Sequence, residues 1–335
     1  MSIKIGINGF GRIGRNLLRI SLLSDQIDVV AINDIADIKT CAHLLKYDSV
    51  FGVLGNNVSH DSDGIIIDEK KIKVFSERNP ADINWSDEGC RIVVESTGIF
   101  TDASKAAGHL KGGAKKVIIS APASGEDQTI VLGVNDDTYD PANHNVISNA
   151  SCTTNCIAPV AKVINDRFEI KKGWMSTIHA YTNDQNILDQ VHGDLRRART
   201  AAANIVPTST GAARAVGLAL PELKGRIHGM AYRVPTTTVS IVDFTAEIGG
   251  SASVEEINQA FLDAASNQLN GILDYSEEPL VSSDYRGDPH SAILDSLSTM
   301  VIEDNMIKVV AWYDNEWGYS CRVADLVVFV GEKGI

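Results

Sequence analysis

The chain has 335 residues, a formal net charge of −13 at pH 7 and an apolar fraction of 44%, which are typical of a globular protein with one large domain or two smaller ones. The acidic balance argues against binding nucleic acid or a membrane surface through bulk charge, and no apolar run approaches the roughly 20 residues that cross a bilayer. Five scattered cysteines resemble neither a disulfide framework nor a zinc site, so we expect a cytoplasmic protein without a bound metal.

The N-terminal residues predict a dinucleotide-binding unit. Residues 4–8 predict a short buried strand and residues 15–20 a helix, and between them Gly9, Gly11 and Gly14 have GxGxxG spacing. In this context the first glycine permits a tight turn, the second lets a pyrophosphate approach the backbone, and the third lets the helix pack on the strand. A second strand, residues 29–33, ends at Asp34, whose carboxylate would bind ribose hydroxyls and repel a 2′-phosphate, so NAD is favoured over NADP.

Strands and helices continue to alternate up to about residue 150. Residues 91–98 and 115–120 predict buried strands on either side of a helical segment near residues 103–110, and residues 52–85 predict an inserted hairpin region. The two strands end in small polar residues, Ser96, Thr97 and Ser120, at the sheet edge where ligands bind in open α/β folds. These residues are candidate cofactor contacts, although turn chemistry or helix capping also explains each of them alone.

Residues 151–156, Ser-Cys-Thr-Thr-Asn-Cys, place a thiol among several hydroxyl groups. Because residues 146–150 predict the end of a strand and residues 157–168 a helix, we expect Cys152 at a helix N-terminus, where N–H groups and the helix dipole stabilise a thiolate and an oxyanion. His179 ends a second strand-like run, and two strand ends at one sheet edge would bring it to the thiol as a base. The alternative is that Cys152 is a small buried core residue.

From about residue 151 the pattern changes to α+β. Residues 236–244 and 306–313 predict long alternating strands of an antiparallel sheet, and residues 254–268 predict a helix capped by Ser253. The predicted fold is therefore α/β, with a Rossmann dinucleotide-binding domain over residues 1–150 and an α+β catalytic domain, with a mostly antiparallel sheet, over residues 151–315. A C-terminal helix over residues 316–335 is expected to pack back on the first domain.

Three arginines, Arg196, Arg197 and Arg199, lie within four positions of an acidic chain. Such a cluster favours a site for a phosphate or a carboxylate, because guanidinium offers a planar fork of donors. The alternative is a solvated helix face that pairs with nearby acids.

Four motifs together resemble the glyceraldehyde-3-phosphate dehydrogenase family. They are residues 7–15, residues 151–156, residues 179–182 and residues 315–319, in this order along the chain. The resemblance implies an NAD-dependent, phosphorylating oxidation of glyceraldehyde 3-phosphate to 1,3-bisphosphoglycerate, in glycolysis or gluconeogenesis, by a homotetramer. It further implies that Cys152 attacks the aldehyde and carries a thioester, and that His179 is the base.

The same resemblance implies binding residues position by position. It assigns the substrate phosphate to Thr182 and Arg233, with Asp184 as an orienting partner and Arg233 just before a strand. It assigns the attacking phosphate to Ser151, Thr153, Arg197, Thr210 and Gly211, with Arg196 as a fallback for Arg197. The implied NAD contacts are Gly9, Gly11, Arg12, Ile13, Gly14, Asp34, Arg78, Ser120 and Asn315, with Tyr319 near the nicotinamide and Cys156 buried and not catalytic.

The chain departs from the family at residues 190–193, Gln-Val-His-Gly, where the family often has Leu-Pro followed by His-Lys. This loop helps to set the preference for NAD over NADP in the family, so the departure affects the expected selectivity. Residues 190–193 also resemble somewhat the sister enzyme erythrose-4-phosphate dehydrogenase, which hydrolyses its thioester. Thr182 and residues 208–211 resemble the phosphorylating enzyme instead.

Two alternative functions are less favoured. A surface role in RNA binding, reported for the family, is opposed by the net charge of −13. A protein that binds NAD without catalysis would leave the Cys152 and His179 pair without a function. A low pKa of Cys152 would also make this thiol sensitive to oxidation.

Overall fold

The computed structural model describes residues 2–335, which fold as two compact units. The first unit contains the described residues up to Ile130, together with Asp137–Ala150 and Ser320–Ile335. The second unit contains Val131–Asp136 and Ser151–Tyr319. No helix within residues 2–335 is long and apolar enough to cross a membrane.

The first unit is built around one nine-stranded sheet. Its elements are β1 (Ile3–Asn8), α1 (Arg12–Ser21), β2 (Ile27–Asn33), α2 (Ile38–Lys46), β3 (Tyr47–Asp48), β4 (Gly52–Val53), β5 (Val58–His60), β6 (Gly64–Ile67), β7 (Lys70–Phe75), β8 (Ile92–Glu95), α3 (Ala103–Ala106), α4 (Gly108–Lys111), β9 (Lys116–Ile119), β10 (Gln128–Thr129) and β11 (Val146–Ser148). The strand order is β10-β11-β9-β8-β1-β2-β7-β6-β5, in which all pairs from β10 to β7 are parallel and the β7–β6–β5 edge is antiparallel.

The parallel part of this sheet confirms the predicted Rossmann-type fold. Every residue of β8 and of β9 is buried, as expected for parallel strands that are covered on both faces. Their side chains are mainly branched aliphatics, which pack well on a pleated surface. The antiparallel edge lies in residues 52–85, where the sequence predicts a hairpin region, and the predicted helix near residues 103–110 is divided into the short helices α3 and α4.

The second unit holds an eight-stranded sheet. Its elements are α5 (Cys152–Phe168), β12 (Ile170–Ala180), β13 (Val206–Ser209), α6 (Ala212–Ala219), β14 (Ile227–Val234), β15 (Ser240–Ile248), α7 (Val254–Ser266), β16 (Leu273–Ser276), β17 (Ala292–Asp295), β18 (Met300–Ile302) and β19 (Met306–Tyr313), and α8 (Trp317–Lys333) follows. The order is β13-β14-β12-β15-β19-β17-β16, with β18 paired to β19. Among the described strands of this second sheet, only the β12–β14 and β16–β17 pairs are parallel, so the prediction of a mostly antiparallel sheet is confirmed.

One face of this second sheet forms the core of its unit. The residues of β15 alternate between buried and half-buried, and its buried side chains Val242, Phe244 and Ala246 pack against Ile157 and Val160 of α5. The alternation is the period-two pattern of a strand with one covered face. Ser253 begins α7 through a capping box with Glu256, as predicted, and the helix ends at Ser266 rather than at residue 268.

Two strand predictions in this unit are wrong in position. The predicted strand over residues 236–244 begins only at Ser240, because Val239 has a φ of 67° and the left-handed backbone interrupts the extended chain. Arg233, expected just before a strand, lies inside one, as the penultimate residue of β14. The strand over residues 306–313 is found as predicted.

Candidate active site

Cys152 and His179 lie side by side in the second unit. The Cys152 Sγ is 3.5 Å from the His179 Nε2. Cys152 is the first residue of α5, which Ser151 caps by accepting the Thr154 N–H at 3.0 Å. The helix therefore begins at Cys152 and not at residue 157, because the Thr-Thr-Asn run that followed the thiol in the sequence forms the first helical turn.

The reason for this proximity differs from the predicted one. The strand before Cys152, β11, and the strand that carries His179, β12, belong to different sheets, so the expectation of a shared sheet edge is wrong. The two side chains meet because α5 packs on the sheet that contains β12, through Ile157 on the helix and Ile170 and Met175 on the strand.

Burial sets the protonation of both groups. Burial and, to a smaller extent, the nearby Arg233 charge lower the pKa of His179 to about 3, against the opposing effect of a hydrogen bond to Ala180. Burial also raises the pKa of the Cys152 thiol, while Arg233 and hydrogen bonds from Thr153 act in the opposite direction. The expected low pKa of Cys152 is therefore wrong for the ligand-free chain, in which a neutral imidazole faces a neutral thiol.

The other nitrogen of His179 fixes the imidazole. Its Nδ1 lies 2.6 Å from the Ala180 carbonyl oxygen, which also accepts an Arg233 N–H at 3.0 Å. The same Arg233 nitrogen lies 2.9 Å from Nδ1. We assign the proton to Nδ1, because its shorter contact is to a carbonyl oxygen, which can only accept, and because the Arg233 nitrogen also donates to that oxygen. This tautomer leaves Nε2 unprotonated and directed at the Cys152 thiol, as a general base requires.

Arg233 lies beside the pair with part of its donor capacity unused. The same terminal nitrogen that bonds to Ala180 is 3.5 Å from the Thr182 Oγ1, so the structure brings together the two residues that the resemblance assigns to the substrate phosphate. The Arg233 Nε is buried and, within residues 2–335, has no hydrogen-bond partner. A buried guanidinium with unused donors is suited to bind an anion.

Arg197 differs from Arg233 because it is already paired. It forms ion pairs with Asp184 and with Asp194, the latter at 3.1 Å. Asp184 therefore contacts Arg197 directly, and its charge also acts on Arg233, so its role as an orienting partner of Thr182 and Arg233 stays a prediction. Arg199 pairs with Asp189 at 2.7 Å. Residues 181–200, here called the turn segment, consist of turns and bends rather than a helix. The alternative of a solvated helix is therefore wrong about the helix, although Arg197 and Arg199 do pair with nearby acids.

The remaining predicted phosphate residues lie at two helix N-termini. Ser151 and Thr153 are at the start of α5, and Gly211 directly precedes α6, where the Thr210 Oγ1 accepts the Ala212 N–H at 3.1 Å. Helices α5 and α6 pack against each other. Helix N-termini offer unpaired N–H groups and a positive dipole end to anions.

The first unit contains a cavity of about 440 Å³ at the carboxyl ends of its parallel strands. Its lining residues are Asn8, Gly9, Gly11, Asn33, Asp34, Ile35, Glu77, Arg78, Ser96, Thr97, Ile99 and Phe100. Four of the implied NAD contacts, Gly9, Gly11, Asp34 and Arg78, are among them. Ligands of open α/β sheets bind at this edge.

The glycines act as the sequence predicts. Gly9 has a φ of +92°, and a Cβ there would lie 2.6 Å from the Thr97 backbone N. A Cβ at Gly14 would lie 2.2 Å from the Gly9 oxygen, whereas a Cβ at Gly11 would meet nothing within 4 Å. Gly9 and Gly14 thus permit the turn and the helix packing, and Gly11 leaves open space for a phosphate.

The Asp34 carboxylate is fixed at the cavity wall. Its two oxygens accept the backbone N–H groups of Phe10 and Ala36 at 2.7 and 2.9 Å. A carboxylate offers about four acceptor positions, so two remain for ribose hydroxyls. The cavity therefore fits the adenosine part of a dinucleotide.

The other implied cofactor residues have different surroundings. Arg12 starts α1 and pairs with Asp48, Ile13 follows it, and Ser120 donates to the Glu95 carbonyl at 3.1 Å. Asn315, in the second unit, accepts a hydrogen bond from Ser240 at 2.8 Å. Tyr319 and Cys156 are buried, the latter as predicted.

Sequence reasoning missed Ser240. Its Oγ accepts the Ala180 N–H at 3.0 Å and donates to Asn315, so it links the peptide behind His179 to an implied cofactor residue. No motif marks it, because its direction depends on the left-handed backbone of Val239.

One group of side chains has the spacing of metal ligands. Within residues 2–335, Asp274, Asp288 and His290 bring ligand atoms within 4.8 Å of one another. A contact of 2.9 Å already joins Asp288 to His290, and the group includes neither Cys152 nor His179.

Fold and site together define a protein that combines a Rossmann-type dinucleotide-binding unit with an α+β unit carrying a cysteine–histidine pair. Residues 3–103 match the family model described as the NAD-binding domain of glyceraldehyde 3-phosphate dehydrogenase, and residues 151–315 match its C-terminal domain. The chain is 60% identical to a glyceraldehyde-3-phosphate dehydrogenase of Priestia megaterium over 335 residues, all of both chains. It is 59% identical, over the full length of both chains, to glyceraldehyde-3-phosphate dehydrogenase 1 of Bacillus subtilis and to that of Geobacillus stearothermophilus. The chain belongs to the glyceraldehyde-3-phosphate dehydrogenase family.

Proposed function

We propose that the protein is an NAD-dependent, phosphorylating glyceraldehyde-3-phosphate dehydrogenase, which converts glyceraldehyde 3-phosphate and inorganic phosphate to 1,3-bisphosphoglycerate in glycolysis or gluconeogenesis. The observation that carries the proposal is the 3.5 Å approach of the Cys152 Sγ to the unprotonated Nε2 of His179, beside the Arg233 guanidinium, whose buried Nε has no hydrogen-bond partner within residues 2–335. A thiol, a base and an anion site are what covalent oxidation of a phosphorylated aldehyde requires.

In the proposed reaction, the His179 Nε2 takes the thiol proton as the Cys152 Sγ bonds to the aldehyde carbon, and returns it to the carbonyl oxygen, which becomes the hydroxyl of a thiohemiacetal. The backbone N–H groups of Cys152 and Thr153, which bond to the sulfur and lower its pKa, lie where negative charge develops. NAD, when bound, accepts the hydride that leaves this carbon. His179 accepts the hydroxyl proton, and the acyl group stays on Cys152 as a thioester. Inorganic phosphate then attacks the acyl carbon, the carbon–sulfur bond breaks, and 1,3-bisphosphoglycerate leaves the Cys152 sulfur.

The substrate phosphate and the attacking phosphate are proposed to bind at two different sets of residues. Arg233 and Thr182 are proposed to hold the substrate phosphate, since the guanidinium is adjacent to His179 and its Nε is an unused donor within residues 2–335. The attacking phosphate is proposed to bind Ser151, Thr153, Arg197, Thr210 and Gly211. Support comes from the packing of α5 against α6, whose N-termini carry four of these residues.

We also propose a homotetramer. The turn segment, residues 181–200, exposes the apolar side chains of Ile187, Leu188, Val191 and Leu195, and Val191 is 97% exposed. On the second sheet, the register aligns Trp174 with Thr245, Lys308 and Met300 on the face opposite the core, and both Trp174 and Met300 are exposed. The four exposed apolar side chains within residues 187–195 support an interface there, since grouped apolar side chains on a surface are typical of interfaces. A cytoplasmic location stays a prediction, supported by the five free cysteines.

The deciding experiment measures NADH formation at 340 nm from glyceraldehyde 3-phosphate and NAD, with and without inorganic phosphate. We expect sustained phosphate-dependent turnover, a loss of roughly 10³-fold or more in Cys152→Ser, and turnover within a few-fold of wild type in the control Cys156→Ser, one helical turn away. Turnover that is indifferent to phosphate, or faster with erythrose 4-phosphate, would instead assign the sister enzyme. NADP in place of NAD tests the selectivity expected from Asp34.

A further inference from the structure

A row of buried polar side chains crosses the first sheet beneath the dinucleotide cavity. Asn8 is the register partner of Glu95 on one neighbouring strand and of Asn33 on the other. All three end their strands, β1, β8 and β2, and all three are buried. Polar residues in this position interrupt strands that are otherwise apolar, and a buried charged group is unfavourable unless it is fully hydrogen-bonded.

The Glu95 carboxylate is the centre of this row. One oxygen accepts hydrogen bonds from the Asn8 Nδ2 and from the His109 Nε2, the latter at 3.0 Å. The other accepts the Thr97 backbone N–H at 2.9 Å and the Thr97 hydroxyl. Four donors therefore surround a carboxylate that is 2% exposed, and no acceptor position faces an acceptor.

Trp85 fixes the direction of the network at one end. Its indole N–H donates to the His109 Nδ1 at 3.0 Å. Because an indole can only donate, Nδ1 carries no proton, and the proton of the imidazole lies on Nε2, towards Glu95.

At the other end the network reaches the cavity wall. The Asn8 Oδ1 accepts from the Asn33 Nδ2 at 2.7 Å, and the Asn33 amide bonds to both the carbonyl and the N–H of Glu77, at 2.9 and 2.8 Å. Asn8, Asn33, Glu77 and Thr97 line the cavity, whereas Glu95, His109 and Trp85 are not among its lining residues.

We propose that Glu95 is a positioning residue for the dinucleotide. Its carboxylate fixes Asn8 and Thr97 directly, and fixes the Glu77 backbone through Asn8 and Asn33, while His109 and Trp85 set the direction of the hydrogen bonds. A carboxylate is needed because both of its oxygens accept. The identity of the ligand as NAD rests on the proposed function.

The substitution Glu95→Gln tests this requirement with nearly the same shape. Whichever way the amide of the new glutamine turns, its NH₂ group faces two groups that now donate, and of the four groups around this side chain only the Thr97 hydroxyl can accept by a simple rotation. His109 could accept from that NH₂ only by moving its proton to Nδ1, where it would face the Trp85 N–H. Trp85→Phe removes this obstacle and is therefore expected to rescue Glu95→Gln in part.

The experiment measures the Kd for NAD by titration calorimetry, and the KM values at saturating NAD. We expect Glu95→Gln to weaken NAD binding by about tenfold, as one or two unsatisfied donors imply, with the KM for glyceraldehyde 3-phosphate unchanged. We expect Trp85→Phe alone to weaken NAD binding less than Glu95→Gln does, because Glu95 keeps its four donors. The double variant is expected to bind NAD more tightly than Glu95→Gln.

Lys116→Gln is the matched control. Lys116 is also buried in this sheet, and its ammonium donates to Pro141, His144 and Asn145, outside the cavity. We expect this variant to lower thermal stability without changing the Kd for NAD. If Glu95→Gln does not fold, the double variant is compared with Trp85→Phe, and weaker NAD binding is again expected.

An unchanged Kd for NAD in Glu95→Gln, or in the double variant relative to Trp85→Phe, would overturn the inference, since Glu95 would then be only structural. A failure of Trp85→Phe to rescue Glu95→Gln would overturn the assigned direction of the network. Failure of the wild-type protein to bind NAD would instead refute the proposed function.

Discussion

The two units complete their sites in different ways. In the first, the polar groups around the cavity are satisfied by one another, since Asp34 accepts two backbone N–H groups and Glu95 accepts four hydrogen bonds. In the second, the Arg233 guanidinium lies next to a neutral imidazole, with its Nε buried and unused within residues 2–335. The first site is therefore preorganised for its ligand, and the second needs an anion to compensate its charge.

Replacing the two site arginines tests this difference most strongly. We expect Arg233→Gln to raise the KM for glyceraldehyde 3-phosphate by about 100-fold, because charge-assisted hydrogen bonds contribute about 1.5–3 kcal/mol. We expect Arg197→Gln to raise the KM for phosphate by about tenfold or less, since Asp184 and Asp194 already offset the charge of Arg197. Steady-state kinetics with each substrate varied in turn measures both constants.

The rate at which Cys152 is alkylated distinguishes the two arginine variants independently of the KM values. The Arg233 charge lowers the pKa of the thiol, so Arg233→Gln should slow alkylation by iodoacetamide at pH 7, whereas Arg197→Gln should leave the rate near that of wild type. Similar effects of both variants on both KM values would contradict the distinction between an unpaired and a paired arginine.

The burial of His179 predicts a pH dependence of stability. The pKa of His179 falls from 6.5 to about 3 on folding, so between these values the unfolded chain binds more protons than the folded chain. Stability therefore decreases as the pH falls through this range, and His179 makes no such contribution above it. We expect His179→Asn to remove this contribution.

Urea unfolding of both proteins at several pH values between 7 and 4 measures the effect. The wild type should take up about one more proton on unfolding than His179→Asn below about pH 6. Parallel stability curves for the two proteins would show that the folded imidazole already carries a proton, and would remove His179 as the resting base.

The features that could be predicted from the sequence are those set by residues close together in the chain. The turn from β1 into α1 follows from Gly9 and Gly14, because their missing Cβ atoms are required locally. The strand β19 follows from its alternation. Such patterns identify elements without knowledge of their neighbours.

The features that could not be predicted depend on contacts between distant residues. Cys152 and His179 meet through the packing of α5 on another sheet, and the pKa of the thiol rises because burial outweighs the Arg233 charge. Glu95 lies in β8 and His109 in α4, and nothing in the sequence around either residue indicates that the two side chains are hydrogen-bonded to each other. Burial and direction are tertiary properties, which a pattern of residue types does not contain.

Ser240 is the smallest test of how the second site is held. Its hydroxyl joins the Ala180 N–H to Asn315, and the left-handed φ of Val239 just before it, 67°, costs of order 1–3 kcal/mol in backbone strain. A neutral hydrogen bond contributes about 0.5–1.5 kcal/mol, so we expect Ser240→Ala to lower kcat about two- to tenfold. The KM for glyceraldehyde 3-phosphate should not change, because Arg233 and Thr182 are untouched. Thr299→Val is the control, since its buried hydroxyl also donates to an asparagine oxygen, that of Asn258 at 2.7 Å. An equal fall of kcat in both variants would mean that the Ser240 hydroxyl supports only the stability of the unit, and that Asn315 is positioned by other contacts.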